Sequence, residues 1–217
     1  MNYNTSSSNN QPEQPNRNLS DPRITGSVAT PTFQLIMEKA PDQDIALTAE
    51  LVFRQFVRPS ELTTIEGSRI QCDEHGEPER FYVCGSGEGR WIKIHPCGRP
   101  LLRGVLPLSG PLLLTKNPFK RLQRFAAWLG VCLDGRRVHH TCVLQALALD
   151  GDVAYVAQQA GMVGARLHRH RFLPQVEDAA SFWEFNFDLE RLMTLPRHCG
   201  RLPRLAGIVR INQEGTL

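Results

Sequence analysis

One stretch of the chain combines regular apolar spacing, a turn glycine and clustered positive charge. It covers residues 153–172, VAYVAQQAGMVGARLHRHRF. The apolar spacing predicts a helix over Val153–Ala160, and Gly161 suits the tight turn that follows it. A second helix is predicted to begin at about Val163 and to run into the basic residues. The second half of the chain is therefore expected to be built around this helical pair.

The middle of the chain follows a different pattern, in which turn-forming clusters separate short apolar runs. The clusters occupy residues 75–78, 85–89, 96–100 and 109–111. The intervals between runs are too short for parallel crossovers, so an antiparallel meander is predicted. Its predicted strands are residues 69–72, 80–84, 90–95, 101–108 and 112–115. The glycine-rich loop 85–89 lacks the Gly-Lys-Ser/Thr of a phosphate-binding loop and is predicted to be a flexible hairpin turn.

The residues before the meander are predicted to hold a strand at 33–39 and, at 45–57, a segment that suits a helix or a strand, with a helix favoured. Residues 1–31 are rich in Asn, Ser, Gln and Pro, with almost no apolar periodicity. Such a segment cannot bury enough apolar surface to offset the entropy lost on ordering, so it is predicted to be a disordered tail.

The second half carries clear helix signals. Asn117 is suited to cap a helix whose first turn holds Pro118, and Gly130 is suited to end it. Residues 138–149 are apolar enough for a buried helix or strand. The remaining predicted elements are a helix over residues 177–193 and a short strand at 207–211. The predicted fold class is α+β, with a tail at 1–31, an acidic β-rich region at 32–115 and a basic, mainly helical region at 116–217.

The net charge of +3 conceals a division along the chain. Residues 38–79 carry ten acids against four bases, a net charge of −6. Residues 116–171 carry nine bases against three acids, a net charge of +6. A polyanion is therefore expected to meet the second half of the chain, and a protein partner could bind the acidic half.

Residues 153–172 resemble the twenty-residue pattern of the DNA-binding helix-turn-helix family, with Ala157 at the small position and Gly161 at the turn. Apolar residues stand at the packing positions, namely Val156, Ala160, Met162 and Leu167. The resemblance implies that the second helix enters the major groove of DNA. The residues implied to contact DNA there are Arg166, His168, Arg169 and Arg171. The alternative is an ordinary helical hairpin with a solvated basic face.

Bases earlier in the second half extend this predicted surface. They are Lys120, Arg121, Arg124, Arg136 and Arg137. If they share a face with the basic segment, together they would neutralise several phosphates and make binding salt-dependent.

Two further groups of residues suggest chemistry. The first comprises the zinc-type ligands Cys72, His75, Cys84, His95 and Cys97. Their spacing matches no standard finger, and buried structural cysteines are the alternative. The second is the pair His139 and His140 near Asp134, Cys132 and Cys142. Adjacent residues of a helix or strand point in different directions, so the two histidines are not expected to serve one site.

The sequence favours a DNA-binding protein without enzymatic activity, either a regulator or an accessory subunit of a nucleoprotein complex. The alternative is a structural or adaptor subunit, with or without a stabilising zinc ion, that does not contact DNA. An enzyme that processes nucleic acid is the weaker third interpretation, because no acid/base pair or metal motif stands out. No cofactor besides zinc is expected, a cytoplasmic location without membrane contact is expected, and the oligomeric state is left open.

Overall fold

A computed structural model of the chain describes residues 29–85, 89–104, 109–149, 152–162 and 179–200. Within these residues the protein forms a three-stranded antiparallel sheet and eight α-helices, so the predicted α+β class is confirmed. The strands are β1 (Ile70–Cys72), β2 (Pro78–Val83) and β3 (Arg90–Lys93). The helices are α1 (Ala29–Lys39), α2 (Gln43–Arg54), α3 (Arg99–Arg103), α4 (Pro118–Trp128), α5 (Gly135–Ala148), α6 (Val153–Ala160), α7 (Ala179–Glu184) and α8 (Leu189–Thr194).

The sheet has the order β1-β2-β3 and one face on the core. Phe81 of β2 pairs with Ile92 of β3, and both are completely buried. The next pair, Tyr82 and Trp91, lies on the other face, with ring centroids 5.3 Å apart. The alternation therefore follows the period of two that a half-buried strand requires.

Helix α2 forms the centre of the core. Every residue from Asp44 to Arg54 is buried, and the helix contacts α1, α4, α5 and α8. Its two charged residues near the carboxyl end form a fully buried ion pair, in which Arg54 Nη2 lies 2.7 Å from Glu50 Oε2. Arg54 Nη1 also donates to the backbone oxygen of Phe185 at 2.9 Å, which helps to satisfy a charge that would otherwise be costly to bury.

Several predicted strands are wrong. Residues 33–39 belong to helix α1. Residues 101–103 belong to α3, whose first turn holds Pro100, a residue with φ already suited to a helix. Residues 112–115 form no strand, although the preceding residue, Pro111, forms an isolated bridge with Glu66.

The predicted helix ends agree better with the structure. Helix α4 begins at Pro118 after Asn117, as predicted, and Gly130 follows it with φ of 79°. The ambiguous segments 45–57 and 138–149 contain α2 and α5, so both are largely helical. The helix predicted over residues 177–193 is interrupted, because Asp188 caps a new helix by accepting from the backbone N–H of Arg191 at 2.9 Å.

Several predictions lie outside the described residues. They are most of the tail, most of the glycine-rich turn at 85–89, residues 105–108 of a predicted strand, the second helix of the helix-turn-helix pattern and the strand at 207–211. No helix among the described residues is long and apolar enough to cross a membrane.

Candidate functional site

Three segments that are far apart in sequence converge on one open pocket of about 580 Å³. One segment follows α2, one begins α5 and one ends α6. The lining residues are Arg58, Pro59, Ser60, Asp134, Gly135, Arg136, His139, His140 and Met162. We call this cavity the Arg58 pocket.

Hydrogen bonds hold one side of the Arg58 side chain, and its other side is open to solvent. Its Nη2 donates to the backbone oxygen of Ala160 at 2.9 Å and also to that of Gly161. Its backbone N–H donates to Glu61 Oε2 at 2.8 Å. The side chain nevertheless remains 37% exposed, so part of its five-donor guanidinium is accessible to a ligand.

A buried ion pair fixes the segments around Arg58. Glu61, whose side chain is 1% exposed, accepts from both terminal nitrogens of Arg90, one of them at 3.0 Å. Arg90 Nε donates to the backbone oxygen of Gln159 at 2.9 Å, and its Nη2 donates to that of Phe56 at 3.1 Å. One guanidinium therefore joins the segment after α2, strand β3 and the end of α6.

Two structural features at position 161 require glycine. Its φ of 61° lies in the left-handed region. A Cβ on this residue would stand 3.0 Å from Arg90 Cζ and 3.1 Å from Arg58 Nη2. The predicted turn glycine thus ends α6 and also allows two arginines to approach the backbone closely.

The amino-terminal turns of α5 supply the other wall. Asp134 caps the helix by accepting from the backbone N–H of Arg137 at 3.0 Å. Arg136, His139 and His140 follow at the i, i+3 and i+4 spacing that places side chains on one helix face. Both histidines, which were not expected to serve one site, line this wide pocket.

His139 is the buried titratable group of the pocket, with 8% exposure. Burial lowers its pKa from 6.5 to about 3, and the nearby charges of Arg58, His140 and Arg90 act in the same direction, so the ring is neutral near pH 7. Its Nε2 has no hydrogen-bond partner among the described residues. That nitrogen is itself shielded from solvent, and the ring also bonds to the backbone of Phe56, so His139 contributes to the wall of the pocket.

The pocket is positively charged overall. Arg58 and Arg136 contribute two guanidinium groups, and the N-terminus of α5 adds partial positive charge. Asp134 supplies the carboxylate among the lining residues, and its Oδ1 already accepts from the backbone of α5. The arrangement is therefore suited to an oxyanion such as phosphate.

The predicted site residues are divided between two places. Arg136 lies in the Arg58 pocket, whereas Lys120, Arg121 and Arg124 line a second pocket. Arg137 belongs to α5 but is not among the residues that line either pocket. The bases of the predicted recognition helix lie outside the described residues, namely Arg166, His168, Arg169 and Arg171.

The predicted zinc ligands do not assemble within the described residues, where no group of three or more His, Cys, Asp or Glu side chains is placed to hold a metal ion. His95 Nδ1 lies 2.8 Å from Cys97 Sγ, and burial raises the pKa of that thiol. Cys84 Sγ lies 3.9 Å from a nitrogen of Arg69. The zinc hypothesis remains a prediction.

Comparison with known proteins identifies the fold but not a family. No family model and no curated protein sequence matches the chain. The catalytic domain of bacteriophage HP1 integrase is similar with a TM-score of 0.55 and 13% identity, over 73% of this chain and 92% of that one. The crystal structure of XerA recombinase is similar with a TM-score of 0.51 and 17% identity, over 68% of this chain and 59% of that one. The chain thus corresponds to little more than half of the recombinase.

These likenesses correct the prediction that the chain is not an enzyme, because the two matched structures are a recombinase and the catalytic domain of an integrase. They establish a shared fold and leave the helix-turn-helix interpretation without support. Arg58 and Ser60 were not predicted to be site residues, and the sequence carries no local signal for them. His139 and His140 could have been found with Arg136, because the i, i+3, i+4 spacing places the three side chains on one helix face.

Proposed function

We propose that this chain processes DNA and that the Arg58 pocket binds a phosphodiester group of the DNA backbone. One observation carries the proposal: Arg58, Arg136 and the neutral, buried His139 line the same open pocket. Guanidinium groups match the geometry of phosphate oxygens, and the neutral imidazole of His139 lines the pocket without adding a charge of its own.

We propose further that the bound phosphodiester is the reacting group. Phosphoryl transfer depends mainly on positioning and on stabilising the negative charge of the transition state. Arg58, fixed by backbone oxygens of α6, and Arg136, at the N-terminus of α5, are suited to that task. The shared fold with a recombinase and an integrase catalytic domain supports this assignment.

The basic segment after Met162 would extend the contact with DNA. Met162 lines the pocket, and the basic segment follows it in the sequence. We assign its bases to the DNA on either side of the bound phosphate, where contacts with the backbone would position the protein. These bases are Arg166, His168, Arg169 and Arg171.

The test is incubation of the purified protein with negatively supercoiled plasmid, followed by separation of nicked, relaxed and supercoiled forms. We expect the wild type to break strands and Arg136→Ala to do so on the order of 100-fold more slowly, because one charge-stabilising donor is lost. Arg136 is exposed and forms no ion pair with a described residue, so its removal should leave the fold intact. Arg103→Ala, which removes an exposed base paired with Glu77, is the matched control. Plasmid that the wild type binds but leaves fully supercoiled would contradict strand processing.

A further inference from the structure

A second basic pocket, of about 590 Å³, lies at the start of α4. Its lining residues are Thr115, Lys116, Asn117, Lys120, Arg121, Arg124, His198 and Gly200. We call it the Lys120 pocket. It is formed where the start of α4 meets the segment that follows α8.

The carboxylates beside this pocket are already neutralised. Asp42, completely buried, accepts from the guanidinium of Arg121 and from the backbone N–H of Cys199 at 2.7 Å. Burial raises the pKa of Asp42, but these bonds outweigh burial and hold the pKa below its usual value. Asp44 accepts from the backbone N–H groups of Leu114 at 3.0 Å and Thr115 at 3.1 Å, and its charge is paired with Arg197, whose Nη2 lies 3.9 Å from Asp44 Oδ1. Arg121 therefore has a structural partner, and the two acids do not offset the other bases.

The remaining charge belongs to Lys116, Lys120 and Arg124. All three side chains are exposed, and none forms an ion pair with a described carboxylate. Lys120 and Arg124 stand at i, i+4 on α4, a like-charge arrangement that slightly destabilises a helix. Helix α4 has no acid in its first turn, and its cap Asn117 makes no side-chain capping bond, so the helix dipole adds to the positive field.

The Lys120 pocket neighbours the Arg58 pocket. Phe119 stands in sequence between Asn117 and Lys120, which line the Lys120 pocket. A Cβ on Gly135, which lines the Arg58 pocket, would stand 3.1 Å from Cε1 of Phe119. The ring of Phe119 therefore packs against the wall of the Arg58 pocket, so the helices that carry the two pockets are in contact.

We propose that the Lys120 pocket binds a second, non-reacting phosphate of the same DNA molecule. This inference rests on the proposed function, in which the reacting phosphodiester occupies the Arg58 pocket. DNA offers phosphates in a row, and two neighbouring pockets that bind oxyanions match such a ligand better than they match a single small anion. The second contact holds the strand in place over the first.

The experiment measures the affinity for a 20-base-pair duplex over a series of salt concentrations. Four proteins are compared: the wild type, the triple variant Lys116→Gln/Lys120→Gln/Arg124→Gln, Arg136→Gln, and the control triple variant Lys39→Gln/Lys93→Gln/Arg103→Gln. The control removes the same number of exposed bases from α1, β3 and α3. We expect the first triple variant to bind about tenfold more weakly than the control and to have a salt slope smaller by about one unit for each phosphate that it no longer neutralises.

The outcomes separate this inference from the proposed function. Weaker binding by both the Lys120-pocket triple variant and Arg136→Gln supports both. If the Lys120-pocket variant matches the control while Arg136→Gln binds weakly, the second phosphate site is overturned and the proposed function stands. If only the Lys120-pocket variant binds weakly, the pocket is a DNA contact but the phosphodiester assignment of the Arg58 pocket fails. A Lys120→Arg variant should retain affinity, which would show that charge and not the lysine shape is required.

Discussion

His139 links the chemistry of the pocket to the stability of the protein. The ring is buried and neutral, and burial is the main cause of its low pKa. In the unfolded chain the same histidine takes up a proton near pH 6.5. Between the unfolded pKa and the folded pKa of about 3, the unfolded state therefore binds more protons than the folded state.

We expect the free energy of unfolding to be at its full value above pH 6.5 and to fall as the pH decreases toward 4. His139 alone accounts for a slope of about 1.4 kcal/mol per pH unit in this window. His95, whose pKa is also lowered mainly by burial, acts in the same direction. Denaturant unfolding of His139→Gln at several pH values should show a slope reduced by that amount, with the His95 contribution remaining. Equal slopes in the variant and the wild type would show that His139 is not held neutral.

At the scale of single residues, the sequence predicts Arg136 but not Arg58. Arg136 belongs to a visible group of bases, and clustered charge can be read directly from a sequence. Arg58 is one base after a buried helix, and its role depends on the carbonyl oxygens of Ala160 and Gly161, about a hundred positions later. Only the tertiary fold brings these groups together.

At the scale of elements, the Glu61–Arg90 pair connects the segments that surround the pocket. The pair joins the segment after α2, strand β3 and the end of α6. Because Glu61 is 1% exposed and Arg90 is 14% exposed, removing one partner leaves the other charge poorly solvated. The pair is therefore a requirement of this arrangement of elements, whether or not it adds net stability over an apolar substitute.

We expect Glu61→Gln to lower the free energy of unfolding by about 3 to 5 kcal/mol, because it leaves Arg90 without its charge partner. Glu66→Gln is the matched control, since Glu66 pairs with Arg69 at 3.6 Å and both side chains are 49% exposed. That control should change stability by less than about 1 kcal/mol. Chemical denaturation monitored by tryptophan fluorescence measures both values. A Glu61→Gln protein as stable as the control would rule out a central role for the pair.

Helix ends and the three strands of the sheet could be predicted from this sequence, whereas the short apolar runs at 33–39, 101–103 and 112–115 were wrongly predicted to be strands. Asn117 with Pro118 and Gly161 mark helix ends that the structure contains. These signals are local, since they concern backbone groups within one turn. The wrong prediction of a strand at residues 101–103 has a physical cause. A short apolar run suits a strand or a buried helix equally, and Pro100, in the first turn of α3, favours the helix. Packing against other elements, which the sequence does not display, decides such cases.

At the scale of the whole molecule, the acidic and basic halves of the chain do not form separate surfaces. Arg58, from the acidic half, meets Arg136, from the basic half, in one pocket. Asp42 and Asp44 are buried beside bases from the second half. The charge division along the sequence is therefore a poorer guide to the place where a polyanion binds than the two pockets are.

Binding of a DNA backbone phosphate in the Arg58 pocket is the property on which the proposed function depends. It is best tested by the affinity of Arg58→Ala for a duplex, set against the wild type and Arg103→Ala at the same salt concentration. Thermal unfolding of each protein confirms that it is folded at the assay temperature. We expect Arg58→Ala to weaken binding about 10-fold to 100-fold, with a salt slope smaller by about one unit, and Arg103→Ala to leave binding nearly unchanged. Equal affinity and equal salt slopes in all three proteins would show that no DNA phosphate binds in the Arg58 pocket.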